Sequence, residues 1–115
     1  MRLTNDNIHV IEVWDGGKGV LCRVSMEHNE SVTAFVQSRL SDKNCLFVCV
    51  KIGAGPEQRH VLRGYEIARN GQSCDFCVSV DLTTPKQLIA TSIYMGSDAL
   101  YVNFAGRLLY KVDIL

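Results

Sequence analysis

The octapeptide CLFVCVKI, residues 45–52, is apolar at every position but Lys51. It has the length of a strand and falls short of the roughly 10–12 residues of an ordinary helix, and it lacks the polar alternation that would leave one face to water. Such a run must be covered above and below, as strands in the middle of a layered sheet are. That requirement constrains the other segments, which have to supply two apolar layers. With 115 residues, 47% of them hydrophobic, the chain can do this as one globular domain, residues 1–115. There is no internal repeat, low-complexity run or linker-like stretch that would divide it.

The segments around this run follow from their periodicity. IHVIEVW, residues 8–14, and VLCRVSM, residues 20–26, alternate and flank DGGKG, so they are expected as a hairpin. CDFCVSVD, residues 74–81, alternates as a strand, and ALYVNFAGRLLYKVDIL reads as a closing hairpin turning at Gly106 and Arg107. Three other segments carry helix signals. In 29–44, Val32, Phe35, Val36 and Leu40 fit one helical face behind a cap at Asn29 or Ser31, although Val32, Ala34 and Val36 also fit a strand. Pro56 stands where a first helical residue belongs, with Arg69 and Asn70-Gly71 closing that segment. Thr84, Pro85 and Gln87 form a capping pattern with Gly96 as the stop. The resulting order is β-β-α-β-α-β-α-β-β, an α+β chain with a mixed sheet and hairpins at both ends. The alternative is an all-β sandwich or barrel in which 31–42 and 57–69 are strands.

Residues 48–71, VCVKIGAGPEQRHVLRGYEIARNG, resemble the first strand, glycine turn and helix of flavin-dependent oxidoreductases. The resemblance covers 24 residues and rests on Gly53, Gly55, Pro56 and the terminal ARNG. It implies a dinucleotide site in which Gly53 makes the turn and Gly55 admits the pyrophosphate. Gln58 stands where that motif needs a third glycine, and Asp81 lies 26 residues beyond Gly55, further than the ribose-binding acid belongs. These departures favour a structural glycine turn. A weaker form keeps Gly53, Gly55 and Gln58 as an anion site at a helix start.

Charge and cysteine usage bound the rest. Twelve basic and twelve acidic residues leave a net charge of zero, so the bulk field that nucleic-acid binding exploits is missing, and Arg59, Arg63 and Arg69 read as a solvated face. GGKG at 16–19 lacks phosphate-loop spacing. The polar N-terminus is expected to be no secretory signal, and no apolar run reaches membrane-span length. Five cysteines leave one unpaired in any disulfide scheme, which favours a reducing, intracellular setting, cytoplasmic or nuclear. Cys74 and Cys77 could share a metal only if 72–77 were a turn, and Cys45 and Cys49 would stand about 13 Å apart along a strand. Neither Cys49 with His60 nor His9, His28 or Glu12 is marked as a catalytic set. No cofactor is expected. The aromatic residues Trp14, Tyr101 and Tyr110 are the candidate interface. The reading is therefore a non-enzymatic protein-interaction module that acts through a sheet edge or helix face and self-associates. The alternative is a small ligand-binding or enzymatic domain using the Gly53–Gln58 turn.

Overall fold

A computed structural model describes residues 10–15, 17, 19–40, 42–68, 74–83, 88–96, 99–104 and 108–113. Among these residues, nine strands form three antiparallel sheets. β1 (Val10–Asp15) pairs with β2 (Gly19–Ser25). β3 (Glu30–Leu40), β4 (Lys43–Ile52), β5 (Arg59–Ile67) and β6 (Cys74–Asp81) make a four-stranded meander. β7 (Ala90–Met95), β8 (Ala99–Phe104) and β9 (Leu108–Asp113) make a three-stranded one. Among the described residues, the helical content is one 3-10 turn at Gly55–Glu57, and no helix is long and apolar enough to cross a membrane.

The apolar run becomes β4, and Leu46 to Val50 are buried without interruption. Its even-numbered side chains Leu46, Val48 and Val50 pack with Ile11, Val13 and Val24 of the first sheet, together with Val32, Val61 and Ile67. Its odd-numbered Phe47 and Cys49 pack with Ala34, Leu62 and, from the third sheet, Ile93, Leu100, Val102 and Phe104. The four-stranded sheet is thus the middle layer of three. Each outer sheet buries one side of it, which meets the demand of a strand with two apolar faces.

The α+β expectation is corrected: the chain is all-β, as its alternative held. Segment 31–42 lies almost wholly in β3, because its β-branched residues pair with β4 along the whole strand, from Glu30 opposite Ile52 to Leu40 opposite Lys43. A bulge at Thr33 shifts the alternation, so Val32 serves the first core and Ala34 with Val36 the second. The second expected helix, 56–69, is a single 3-10 turn followed by β5; Gly64, costly inside a helix, is tolerated in a strand flanked by large side chains. In the third, Ala90–Met95 is β7, while the cap pattern at Thr84, Pro85 and Gln87 lies outside the described residues. Both hairpins form, with Gly19 at φ 84° in the first. The turn at Gly106 and Arg107 lies outside the described residues, as do His9, Arg69, Asn70 and Gly71.

β5 fastens both crossings between sheets. Where β2 leads into β3, Glu30 is buried, accepts the Glu27 N–H at 3.0 Å, and receives two hydrogen bonds from the Arg63 guanidinium, one at 3.1 Å. Where β6 leads toward β7, the Leu82 N–H donates to the His60 carbonyl at 2.7 Å, and the His60 N–H donates to the Thr83 hydroxyl at 3.0 Å. The Arg63 hydrogen bonds hold the Glu30 carboxyl below its ordinary value of 4.5, against a burial effect in the other direction. A depressed carboxyl contributes stability that is complete above its unfolded-state pKa and is lost as pH falls through the folded one. Glu30→Gln is therefore expected to cost about 3 kcal/mol at neutral pH, as breaking one side of a buried pair does. It should also flatten the loss of stability below the ordinary carboxyl value, measured by urea unfolding across that range. A variant with an unchanged acid profile would show that the pair does not govern it.

Candidate functional site

The two outer sheets cover the middle one unequally. β3 and β7 run side by side, closer than any other two strands from different sheets. From that seam β8 and β9 pack over the middle sheet, where Leu100, Val102, Phe104 and Val112 meet Phe47, Cys49, Leu62 and Val80. β6 has no counterpart in the described part of the third sheet. A groove of about 400 Å³ opens there, lined by Phe47, Leu62, Gly64, Val78, Val80, Leu100 and Val112, with Cys45, Cys77, Tyr65, Glu66 and Asp113 completing its wall.

A second bulge shapes the wall. Gly64 pairs with Val78 and Tyr65 with Phe76, which leaves Cys77 as the extra residue on β6. The bulge puts Phe76 edge-on to Tyr65, with ring centres 5.8 Å apart. Val78 stays on the groove side against Gly64. Phe76 is 59% and Val78 46% exposed, a large apolar surface for an outer strand. The wall's two carboxylates already have cationic neighbours: Glu66 lies 3.4 Å from Lys43, and Asp113 lies 3.7 Å from Lys111. The groove is therefore apolar, with neutralised charge at its rim.

Gly64 is needed here for want of a side chain. A Cβ at that position would stand 2.8 Å from Val78 Cγ1 and 3.1 Å from the Phe47 ring. Gly64→Ala is expected to destabilise the fold by about 1–3 kcal/mol through overpacking, read from the urea midpoint. An unchanged midpoint would mean that β6 shifts freely and that the wall is not fixed.

The candidate residues named from sequence separate in space. Gly53 and Gly55 have φ of 77° and 70°, so the glycine turn is real. The Gly53 N–H donates to the Asn29 carbonyl at 2.8 Å. The Gln58 carboxamide hydrogen-bonds His60 Nε2 at 2.8 Å. A concavity of about 330 Å³ lies beside this turn, lined by His28, Asn29, Glu30, Ser31, Lys51, Gly53 and Ala54. His60 is buried, its Nδ1 has no protein partner, and burial, aided by Lys51, lowers its pKa. Cys74 packs against the first core while Cys77 lines the groove on the other side, so a turn at 72–77 does not bring them together. Among the described residues, no three His, Cys, Asp or Glu side chains are grouped as metal ligands.

Tyr101 stacks on Tyr94 with ring centres 5.2 Å apart. Its neighbours Leu100 and Val102 are in the core, so the tyrosine pair lies on the far face of the third sheet. Tyr110 stands opposite Val102 in β9, and Trp14 opposite Val20 in β1; the side chains of both lie outside the description. The three aromatic candidates therefore occupy two sheets on opposite sides of the middle one. The groove itself was missed. The apolar alternation of Cys74, Phe76, Val78 and Val80 did not mark it, because the bulge at Cys77 divides that set, with Cys74 and Phe76 on the first sheet's side and Val78 and Val80 on the groove's.

Burial pushes the Cys49 thiol up to about 12, which keeps it protonated in the core, whereas Cys77 is exposed. Iodoacetamide is expected to alkylate Cys77 in the native protein and Cys49 only after unfolding, as located by peptide mass mapping. Native labelling of Cys49 would contradict the burial of β4.

The chain matches no protein-family model and no curated protein.

Proposed function

We propose that the chain is a non-enzymatic protein-interaction module that binds through a sheet edge. One observation carries this reading: the apolar groove lies beside β9, whose only strand partner among the described residues is β8. A strand edge offers backbone N–H and C=O groups in a row, and a flanking apolar trough selects the side chains of whatever pairs with it. Of the groove's residues, Cys45 has its pKa raised, first by burial, and a raised thiol is a poor nucleophile.

A second reading, small-anion binding at the Gly53–Gln58 turn, is favoured by the concavity there and by Lys51 in its wall. Glu30 shares that wall and puts a carboxylate beside any anion. Selection from a displayed random-peptide library against the immobilised chain separates the two. The interaction reading expects enrichment of extended peptides with alternating apolar residues, undisturbed by inorganic phosphate or ATP. Saturable ATP or phosphate binding that Gly55→Val weakens at least about tenfold, with no peptide enriched, would replace it with the anion reading. Native mass spectrometry of the same preparation reads self-association directly.

A further inference from the structure

Of the buried polar side chains described, His60 is the deepest, 1% exposed against 8% for Glu30. It stands two residues before Leu62 in an unbroken stretch of the β4–β5 ladder, so its ring projects from the face that carries the core between the second and third sheets. Its Nε2 is held by the Gln58 carboxamide at 2.8 Å, and its Nδ1 is buried with no partner among the described residues. That arrangement suits a neutral imidazole. A carboxamide turned to present its oxygen takes the hydrogen of a neutral ring at Nε2 and leaves only a lone pair unmet at Nδ1. An imidazolium carries N–H on both nitrogens, and its Nδ1 would be a buried charged donor without an acceptor, which costs more than an unmet lone pair. The charges around the ring favour the same state. From β4, Lys51 stands directly opposite and half-buried; burial first, and then this ammonium, lower the His60 pKa. Glu57 in the turn and Arg59 on β5 are exposed, and at the crossing Asp81 is exposed and accepts the Thr83 N–H at 2.9 Å. The core on that face brings apolar side chains, Leu82, Ala90 and Phe104 among them.

The geometry points to a proton-operated latch: one proton on His60 releases the chain where it leaves β6 for the third sheet. The ring and the fastening belong to the same residue. The His60 carbonyl accepts the Leu82 N–H at 2.7 Å, and the His60 N–H donates to the Thr83 hydroxyl at 3.0 Å. A charged ring regains water only by leaving the core, and the start of β5 must turn out with it, so both main-chain bonds are lost together. His60 is the second residue of β5, so this opening is confined to a strand end and leaves Val61 to Ile67 paired with β6. Because the His60 pKa is lowered from 6.5 in the closed form, that form binds fewer protons than the open one. The latch is therefore fully closed above the ordinary histidine value and loosens as pH falls below it, by up to about tenfold per pH unit until the closed-state pKa is reached. This range lies above the one in which Glu30 titrates, whose carboxyl is held below 4.5, so the two acid responses are separate.

The test is amide exchange of the 115-residue chain at about pH 7 and about pH 5.5, each rate divided by the intrinsic rate at that pH. The opening constant of the Leu82 amide is expected to rise at least about threefold, of the roughly eightfold available to a histidine that titrates normally once open. At both values it should exceed that of the Val48 amide in β4 at least about tenfold, since release of a crossing is a smaller event than unfolding. His60→Gln keeps a polar side chain and removes the titration, so its Leu82 opening should not respond to pH. Lys51→Glu puts a carboxylate opposite the ring and should shrink the rise, a response that a merely structural His60 would not give. His28→Gln, at an exposed histidine, should keep the full rise. A thermal melt at neutral pH checks that each variant folds, and Lys51→Glu carries the test if His60→Gln does not. The inference is overturned by a rise below about threefold, by a rise that persists in folded His60→Gln or is undiminished in folded Lys51→Glu, or by one that is lost in His28→Gln. Equal opening constants at Leu82 and Val48 would also overturn it, because the crossing would then open only when the whole chain unfolds.

Discussion

Every layer of this molecule is referred to β4. A strand whose five central residues are all buried cannot exist at a surface or in a two-layer sandwich, because one of its faces would meet water. Fully burying each such side chain stabilises by about 1.5–3 kcal/mol, so the covering sheets are held mainly by what they place against Leu46 to Val50. This explains why the flanking sheets can be small. Among the described residues the first has two strands and the third has three, and an isolated two-stranded hairpin is at best marginally stable in water. Their apolar faces find a partner in the middle sheet, which offers a complete face on each side.

The same dependence accounts for what is left exposed. A two-stranded sheet cannot cover four strands, and Phe35 on β3 is 52% exposed. On the other side the described part of the third sheet has one strand fewer, and Val78 on β6 stands open, while Phe76, beyond the bulge, is exposed on the first sheet's side. These surfaces are the arithmetic remainder of a 2-4-3 stack, not scattered apolar residues of the kind any protein carries. One of them borders β9, whose only strand partner among the described residues is β8.

Much of this was legible in the residues. The doubly buried strand, both hairpins and the strand at 74–81 follow from periods of two and from glycine turns, which act locally. The three helix expectations failed for a common reason. Asn29, Pro56 and Thr84 are good helix starters in isolation, but a cap contributes only about 0.5–2 kcal/mol, less than the pairing and burial that β3, β5 and β7 gain from neighbours distant in sequence. Gly64 was the residue that could have corrected the second expectation: it opposes a helix, and it is required where Phe47 and Val78 converge. The resemblance to a dinucleotide-binding unit had the same weakness. Its strand and glycine turn exist, but the helix that would give the turn its phosphate chemistry is β5. The groove was not legible, since it is defined by the stacking of β6 past β9 and by a bulge that displaces Cys77.

Apolar stacking alone does not set how far one sheet slides over the next, because burial is nearly indifferent to small translations. Directional contacts do that here, and they sit at the two crossings, both anchored on β5. The Glu30–Arg63 pair ties the entry to β3, and the main chain of His60 holds Leu82 and Thr83 at the exit from β6. A buried ion pair is weak evidence for stability in itself, since desolvation offsets most of its attraction. Its value here is positional. If Arg63 and His60 fix the offset of the outer sheets, they also fix where β6 lies relative to β9. The shape of the groove is then set by polar contacts remote from it. The apolar core makes the stack form, and β5 sets how its sheets are offset.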